Sequence, residues 1–215
     1  MPHFRSRDPN KISATNRLNQ SVIVKHSEHF DVSNERDMLL RFQEKTPYIR
    51  PLIDEVDLGA EAKSPALVLR YLDEDLLSFS NRRTLTRREL KFVAKGVLHA
   101  LKMLHGEGFV HTGLLAHVYP GRWSRADDTD IKPKNVLVNY DAVEGNITEV
   151  QLADLESTMH QDSKRAVDGD RIGTAIFRST EAFLQMRWGT STDVWSFGLT
   201  VRAILARTTP CIARC

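Results

Sequence analysis

The most informative segment of this chain reads Asp130-Ile131-Lys132-Pro133-Lys134-Asn135 and continues into the apolar Val136-Leu137-Val138. It puts an acid and an amide five positions apart in a polar turn, directly before a predicted β-strand. Asp and Asn at such a point often only form the turn, because their short side chains hydrogen-bond to the nearby backbone. The alternative is a loop that carries catalytic groups. The segments on either side of the turn favour this second interpretation.

Length and composition allow one large globular domain or two small ones. The 215 residues are 41% hydrophobic, which is enough for a core, and the net charge is only +2. This balance favours neither a nucleic-acid nor a membrane partner. No apolar run reaches the length of a membrane span and the N-terminus lacks a secretory hydrophobic region, so the predicted location is intracellular, cytoplasmic or nuclear. Cys211 and Cys215 are predicted to be reduced thiols rather than a metal site.

Upstream of the turn, the sequence alternates between strand and helix patterns. Residues 21–25 read as a short β-strand that ends in Lys25. Residues 31–34 supply helix-starting side chains, and a helix is predicted over residues 35–43. Residues 66–72 are apolar enough for a buried strand. The first third of the chain is therefore predicted to combine strands with a helix.

Around the turn itself, the pattern is again mixed. Thr86 and Glu89, three positions apart, form a capping box ahead of an amphipathic helix that ends at a pair of glycines. Residues 136–140 and 149–153 read as a pair of strands joined by a polar turn. Together with the upstream segments, these patterns mix strands with helices along the chain.

In their order along the chain, these segments resemble the eukaryotic protein kinase family, of the serine/threonine type and similar in style to fungal kinase-like proteins. Lys132, two positions after Asp130, is typical of the serine/threonine branch. The resemblance implies an α+β, two-lobed, kinase-like fold. The segments that carry it are Lys25, Glu35, His111 with residues 130–135, Asp154, Glu181 and Asp193-Val194-Trp195-Ser196-Phe197-Gly198.

The resemblance implies ATP as a cofactor and assigns residues to it. Lys25 would hold the ATP phosphates, with Glu35 as the acid that pairs with Lys25. The alternatives are a solvated strand-end lysine and an acid favoured by the helix dipole. Leu69 would be the gatekeeper, and the backbone around Tyr71 would meet adenine.

The resemblance also implies Mg²⁺ and a catalytic pair. Asp130 would accept the proton of a Ser or Thr hydroxyl on a protein substrate, and Lys132 would stabilise the transferring phosphoryl group. Asn135 and Asp154 would bind Mg²⁺. Asp193 would hold the backbone at the start of the catalytic loop.

A division into domains follows from the same resemblance. Residues 1–72 would form a partial N-terminal lobe, and residues 73–215 a partial C-terminal lobe. Residues 113–129 separate His111 from Asp130 and are interpreted as an insert in the catalytic loop. Removing them in frame would restore an uninterrupted loop, which suggests a translated intron.

Several departures from the family pattern bear on activity. No glycine precedes Gly59, so the phosphate-covering Gly-rich loop is missing, and Glu156 stands where the Asp-Phe-Gly motif has its glycine. The chain also stops at Cys215, soon after the segment that resembles the kinase F-helix. With the Gly-rich loop missing as well, the fold is expected to be incomplete at both ends. Three hypotheses remain open: a protein kinase with impaired activity, a non-catalytic pseudokinase that acts as a binding module, and an incomplete gene product.

Overall fold

The computed structural model describes residues 11–16, 18–26, 32–59, 65–112 and 133–208. Nine strands and six α-helices lie within these residues, and the predicted α+β class is confirmed. None of the described helices is both long and apolar enough to cross a membrane.

The first sheet surrounds the strand that ends in Lys25. It contains β1 (Lys11–Thr15), β2 (Ser21–Lys25), β3 (Leu52–Val56) and β4 (Ala66–Arg70). The strands are antiparallel and lie in the order β1-β2-β4-β3. Lys25 lies opposite Leu67, and both Leu67 and Leu69 of β4 are buried in the main core. The end of β2 is therefore held by the most buried strand of the sheet.

Strand β1 is an element that the sequence pattern does not predict. It pairs with β2 from Lys11 opposite Lys25 to Thr15 opposite Ser21. The segment is short and largely polar, and its one large apolar side chain, Ile12, is exposed. Its extended conformation is therefore stabilised by the hydrogen bonds to β2 rather than by a hydrophobic pattern of its own.

The first helix, α1 (Ser33–Phe42), positions an acidic residue under this sheet. It begins directly after Val32, whose side chain makes no capping hydrogen bond. The helix start predicted at residues 31–34 is present, although Asp31 lies outside the described residues. Glu35, Leu39 and Phe42 are buried and share one face of the helix. The core contact of Leu39 and Phe42 thus turns Glu35 towards the interior.

The remaining elements form two small sheets and a helical layer. They are β5 (Glu74–Asp75), α2 (Leu76–Arg82), α3 (Arg87–Gly106), β6 (Phe109–Val110), β7 (Val136–Tyr140), β8 (Ile147–Leu152), β9 (Met159–His160), α4 (Lys164–Asp168), α5 (Thr180–Phe183) and α6 (Ser191–Thr208). One small sheet has the order β5-β7-β8, and the other pairs β6 with β9. The predicted strand pair, β7 and β8, is therefore present, and it continues into the segment that contains Asp154.

Helix α3 packs closely against β8, which sets the position of that segment. A Cβ atom at Gly96 would lie 3.0 Å from the Tyr48 ring and 3.3 Å from Val150 of β8. Any larger residue at this position would have to displace the Tyr48 ring or Val150, so the close approach favours glycine. The buried face of α3 also carries Val93, Val97 and Leu101, which join the main core.

The capping box at the start of α3 is present as predicted. The Thr86 hydroxyl accepts from the Glu89 backbone N–H, and the Glu89 carboxylate accepts from the Thr86 N–H at 2.8 Å. Glu89 also accepts from Arg83 and from the backbone N–H of Ile147 at the start of β8. Burial alone would raise the pKa of Glu89, but these hydrogen bonds from Arg83, Thr86 and Ile147 outweigh it and lower the pKa to about 2.

Replacing Glu89 with alanine should destabilise the protein by about 2–4 kcal/mol, because the cap is lost and buried donors lose their acceptor. The pKa of Glu89 is lower in the folded protein than its ordinary value of 4.5, so its stabilising effect is present above that pH and is lost as the pH falls towards 2. Urea unfolding of parent and variant between pH 2 and 7 measures this. The difference should shrink at the acid end, whereas Arg88→Ala on the exposed face of α3 should cost little at any pH. An equal loss across the whole pH range would contradict the assignment.

Candidate active site

The site is organised around the ammonium group of Lys25, at the end of β2. Its Nζ lies 2.5 Å from Oε2 of Glu35, 3.1 Å from Oδ1 of Asp154 and 2.7 Å from Oε2 of Glu156. Lys25 and Glu35 are almost fully buried, and the other two side chains are about four-fifths buried. The ion pair predicted between Lys25 and Glu35 is therefore present, but two further carboxylates share the same cation.

Backbone geometry brings the last two carboxylates to Lys25. Asp154 follows β8 with φ of 67°, a left-handed conformation that Asp tolerates better than most residues. Glu156 then lies in a short 3-10 helix, Leu155–Ser157. The Asn34 side chain of α1 donates to the carbonyl of Glu156 at 2.6 Å and to that of Thr158 at 3.0 Å. These bonds hold the 3-10 helix against α1.

The cluster has an uneven electrostatic balance. Burial alone would lower the pKa of Lys25, but Glu35, Asp154 and Glu156 together raise it well above its ordinary value. Burial raises the pKa of Glu156, and the repulsion from Asp154 and Glu35 adds to it, although Lys25 opposes the shift. The two directions agree physically, because the cation is attracted by all three carboxylates while each carboxylate is repelled by the other two. Ionised Glu156 is therefore held at an energetic cost.

A small cavity opens beside this cluster. Its volume is about 40 Å³, and its lining includes Lys25, Glu35, Arg50, Leu69, Asn135 and Asp154. A water molecule takes about 30 Å³ of liquid, whereas ligand pockets are usually about 300–1,000 Å³. In this conformation the cleft is closed down around the ion pairs, and a nucleotide would require it to open.

The donors in the cleft suit a hard divalent cation. Asp154 and Asn135 are carboxylate and amide side chains, the oxygen donors that Mg²⁺ accepts, and both line the cavity. Glu35, Asp154 and Glu156 also bring carboxylate oxygens within 4.8 Å of one another. However, the ammonium group of Lys25 contacts all three of these carboxylates. The three together therefore bind Lys25 rather than an ion, and Asp154 with Asn135 is the pair that fits Mg²⁺.

The residues singled out from the sequence fall into three groups. Lys25, Glu35, Leu69, Asn135 and Asp154 are brought together at the cavity. Tyr71 is not in the cavity lining; burial and the neighbouring Asp73 raise its pKa. Asp130 and Lys132 lie outside the described residues, as does the predicted insert over residues 113–129. The roles of these last residues stay predictions.

Sequence reasoning missed two side chains of the cleft. Arg50 is 7% exposed and lines the cavity, although it was not considered as a site residue. The available signal was an arginine directly after Ile49, in an otherwise apolar segment. Glu156 was noted only as a replacement of a glycine, and its contact with Lys25 could not be read from the sequence.

The start of the predicted catalytic loop, at His111 and Thr112, is held by hydrogen bonds to α6 and to the segment after β8. Asp193, buried in the first turn of α6, accepts from the His111 N–H at 2.8 Å and lies 2.8 Å from Nε2 of His105. The His111 ring lies 3.1 Å from the carbonyl of Ala153, and the Thr112 hydroxyl donates to the carbonyl of Ser157 at 2.5 Å. The backbone contact predicted for Asp193 is therefore present.

Replacing Asp193 with alanine should destabilise the protein by about 2–4 kcal/mol, because it leaves the fully buried N–H of His111 without its acceptor. Asp193→Asn keeps one side-chain oxygen and should cost less than half as much. Urea unfolding of the two variants measures the difference. Equal losses for both would show that the negative charge beside His105, and not the hydrogen bond to His111, is what matters.

No family model matches the chain, but several known proteins that are similar to it are serine/threonine protein kinases. The chain is 25% identical over 201 residues to 3-phosphoinositide-dependent protein kinase 1 of Rattus norvegicus, covering 90% of this chain and 30% of that protein. It is 30% identical over 126 residues to serine/threonine-protein kinase ppk11 of Schizosaccharomyces pombe, covering 59% and 32%. It is 22% identical over 200 residues to mitogen-activated protein kinase homolog 1 of Petunia hybrida, covering 92% and 42%.

These relatives are all named as protein kinases, and two of the matches extend over nine-tenths of this chain. The chain itself spans only 30% to 42% of the length of these proteins. The structure contains three contacts between residues of the motifs singled out in the sequence. They are the Lys25–Glu35 ion pair, the contact of Asp154 with Lys25, and the hydrogen bond from His111 to Asp193. The chain is therefore similar to serine/threonine protein kinases over most of its length, at low sequence identity.

Proposed function

We propose that this chain is a protein serine/threonine kinase-like domain, whose chemistry is ATP-dependent transfer of a phosphoryl group to protein hydroxyls. The observation that carries the proposal is the 2.5 Å contact between Lys25 and Glu35, with Asp154 at 3.1 Å from the same ammonium group. All three side chains line one cavity together with Asn135. A cation for the phosphate oxygens and oxygen ligands for Mg²⁺ are what phosphoryl transfer requires, and these side chains supply both.

Each residue of the cleft has a distinct part in this proposal. Lys25, oriented by Glu35, would neutralise phosphate oxygens, and Asp154 with Asn135 would hold Mg²⁺. ATP supplies the phosphoryl group when it is bound. Asp130 would accept the hydroxyl proton of the protein substrate, and Lys132 would stabilise the charge of the group in transfer; both assignments rest on the family resemblance alone.

A second candidate function is a non-catalytic pseudokinase that acts as a binding module. It is favoured by the 2.7 Å ion pair between Glu156 and Lys25. In this ion pair the Glu156 carboxylate neutralises the ammonium group that the phosphates would otherwise contact. The small volume of the cleft points the same way. Turnover distinguishes the two candidates, since both could bind a nucleotide.

We expect the purified chain to bind Mg-ATP weakly and to phosphorylate a generic Ser/Thr protein substrate far more slowly than the roughly 1–100 per second of ordinary kinases. The reason is that this chemistry depends on positioning, and Lys25 is engaged by Glu156. Calorimetry with Mg-ATP and transfer of labelled phosphate measure the two quantities. Asp154→Asn should abolish the metal-dependent part of binding, whereas Asp168→Asn on the exposed side of α4 should not alter it.

The outcomes separate the candidates. Slow transfer that Asp154→Asn abolishes supports the kinase, and binding without any transfer supports the pseudokinase. Ordinary turnover would contradict the inhibitory effect of Glu156. A chain that binds no nucleotide under any condition would refute the proposed function.

A further inference from the structure

Arg50 is the second buried cation of the cleft, and it differs from Lys25 in its partners. Only 7% of the residue is exposed. Its backbone N–H donates to Leu152 of β8 at 2.9 Å, and its Nε donates to the carbonyl of Arg70 at 2.7 Å. A guanidinium has five N–H donors, and within the described part of the chain this one side-chain bond leaves most of them available.

No carboxylate of the described residues lies within ion-pair distance of Arg50. Lys25, in the same cavity, has ion pairs with Glu35, Asp154 and Glu156. A buried charge without an ion-pair partner is costly, and such charges are usually paired or neutralised. Burial lowers the pKa of Arg50 to about 10, and the more distant attraction of Glu35 and Asp154 limits the shift, so the side chain is still cationic at neutral pH.

The position of Arg50 gives this charge a use. It lines the cavity together with the gatekeeper candidate Leu69, and Lys25 and Asp154 border the same space. A planar guanidinium can donate two parallel hydrogen bonds to one oxyanion, which suits phosphate better than a single ammonium group does. Lys25 cannot serve an incoming anion without losing one of its three carboxylates, whereas Arg50 can.

We propose that Arg50 forms an oxyanion-binding subsite in the cleft and takes a phosphoryl group of the bound nucleotide. The inference rests on the proposed function, because it assigns the phosphate-binding part of that same site to a residue outside the family's usual set. Free inorganic polyphosphate offers the same chemistry, so the experiment separates the two sources.

The test compares the parent with Arg50→Met, which removes the charge but keeps an unbranched apolar stem. Calorimetry with Mg-ATP, tripolyphosphate and adenosine gives three affinities, and thermal melting without ligand gives the stability. We expect about 10- to 100-fold weaker binding of Mg-ATP and of tripolyphosphate, the range typical of hydrogen bonds to a charged group. Adenosine binding should be unchanged, and the melting temperature should not fall. Arg88→Met on the exposed face of α3 is the matched control and should leave all four values unchanged.

The results overturn different statements. If Arg50→Met binds Mg-ATP and tripolyphosphate as the parent does, the subsite is refuted while the proposed function stands. If the parent binds tripolyphosphate through Arg50 but binds Mg-ATP no more tightly than tripolyphosphate and does not bind adenosine, the nucleotide function fails. The oxyanion subsite then stands. If Arg50→Met does not fold, Arg50→Lys decides: weakened tripolyphosphate binding supports the planar guanidinium contact, and unchanged binding refutes it.

Discussion

Replacing Lys25 with methionine is expected to lower the melting temperature by roughly 6–20 °C. Removing one partner of a buried ion pair typically costs about 3–5 kcal/mol, and 1 kcal/mol shifts the melting temperature of a protein of this size by about 2–4 °C. The substitution leaves Glu35, Asp154 and Glu156 facing one another without the cation that they share. Differential scanning calorimetry of the unliganded proteins measures the change.

The pH dependence gives a second readout for Lys25. The pKa of Lys25 is raised in the folded protein, so its stabilising contribution is fully present below its ordinary pKa of 10.5 and is lost as the pH rises through the raised value. The difference between parent and variant should therefore persist at neutral pH and shrink only in strongly alkaline solution. Lys95→Met on the exposed face of α3 is the control, with an expected effect within about 0.5 kcal/mol. A loss no larger than that of the control would contradict the ion-pair assignment.

Replacing Glu156 with glutamine is expected to strengthen the binding of Mg-ATP by about tenfold, which corresponds to about 1.4 kcal/mol. In the parent, the Glu156 carboxylate lies 2.7 Å from the Lys25 ammonium group and adds a negative charge where phosphates must approach. Glutamine keeps the size of the side chain but removes that charge. The folded protein should tolerate the change, because burial raises the pKa of Glu156 and so makes its ionised form costly to hold. Calorimetry with Mg-ATP measures the affinity.

The effect of Glu156 should also depend on pH. Because its pKa is raised, the parent should lose the inhibitory charge as the pH is lowered, and its affinity should approach that of the glutamine variant. The ratio of the two affinities cancels the titration of ATP itself. Glu44→Gln, at an exposed position after α1, should change neither the affinity nor its pH dependence. Unchanged or weaker binding in Glu156→Gln would mean that Glu156 does not compete with phosphate.

The two variants test opposite sides of one contact. Lys25 is the only cation within ion-pair distance of Glu156 among the described residues, so the double variant should be less destabilised than the sum of the single effects. Such a coupling energy would show that the two side chains interact directly. Additive effects would indicate that Glu156 acts on the cleft only through its backbone.

The sequence by itself determined the elements whose signals are local. The capping box of Thr86 and Glu89 lies within one helical turn, and the strands 21–25 and 136–140 are short apolar runs next to polar turns. Local patterns predicted the strand that carries Lys25 and the helix that carries Glu35, whereas their pairing was implied only by the resemblance to the kinase motifs.

Only the tertiary structure decided how the cleft is filled. Glu156 reaches Lys25 across 131 positions of the chain, and the left-handed backbone at Asp154 that permits it has no local signature. Arg50 enters the cavity because β8 binds its backbone and Arg70 binds its side chain. Local patterns specify periodicity and caps, since these depend on neighbours within a turn or two. Which charges share a buried space depends instead on packing between distant segments. This packing pairs Lys25 with three carboxylates and places Arg50 at the cavity.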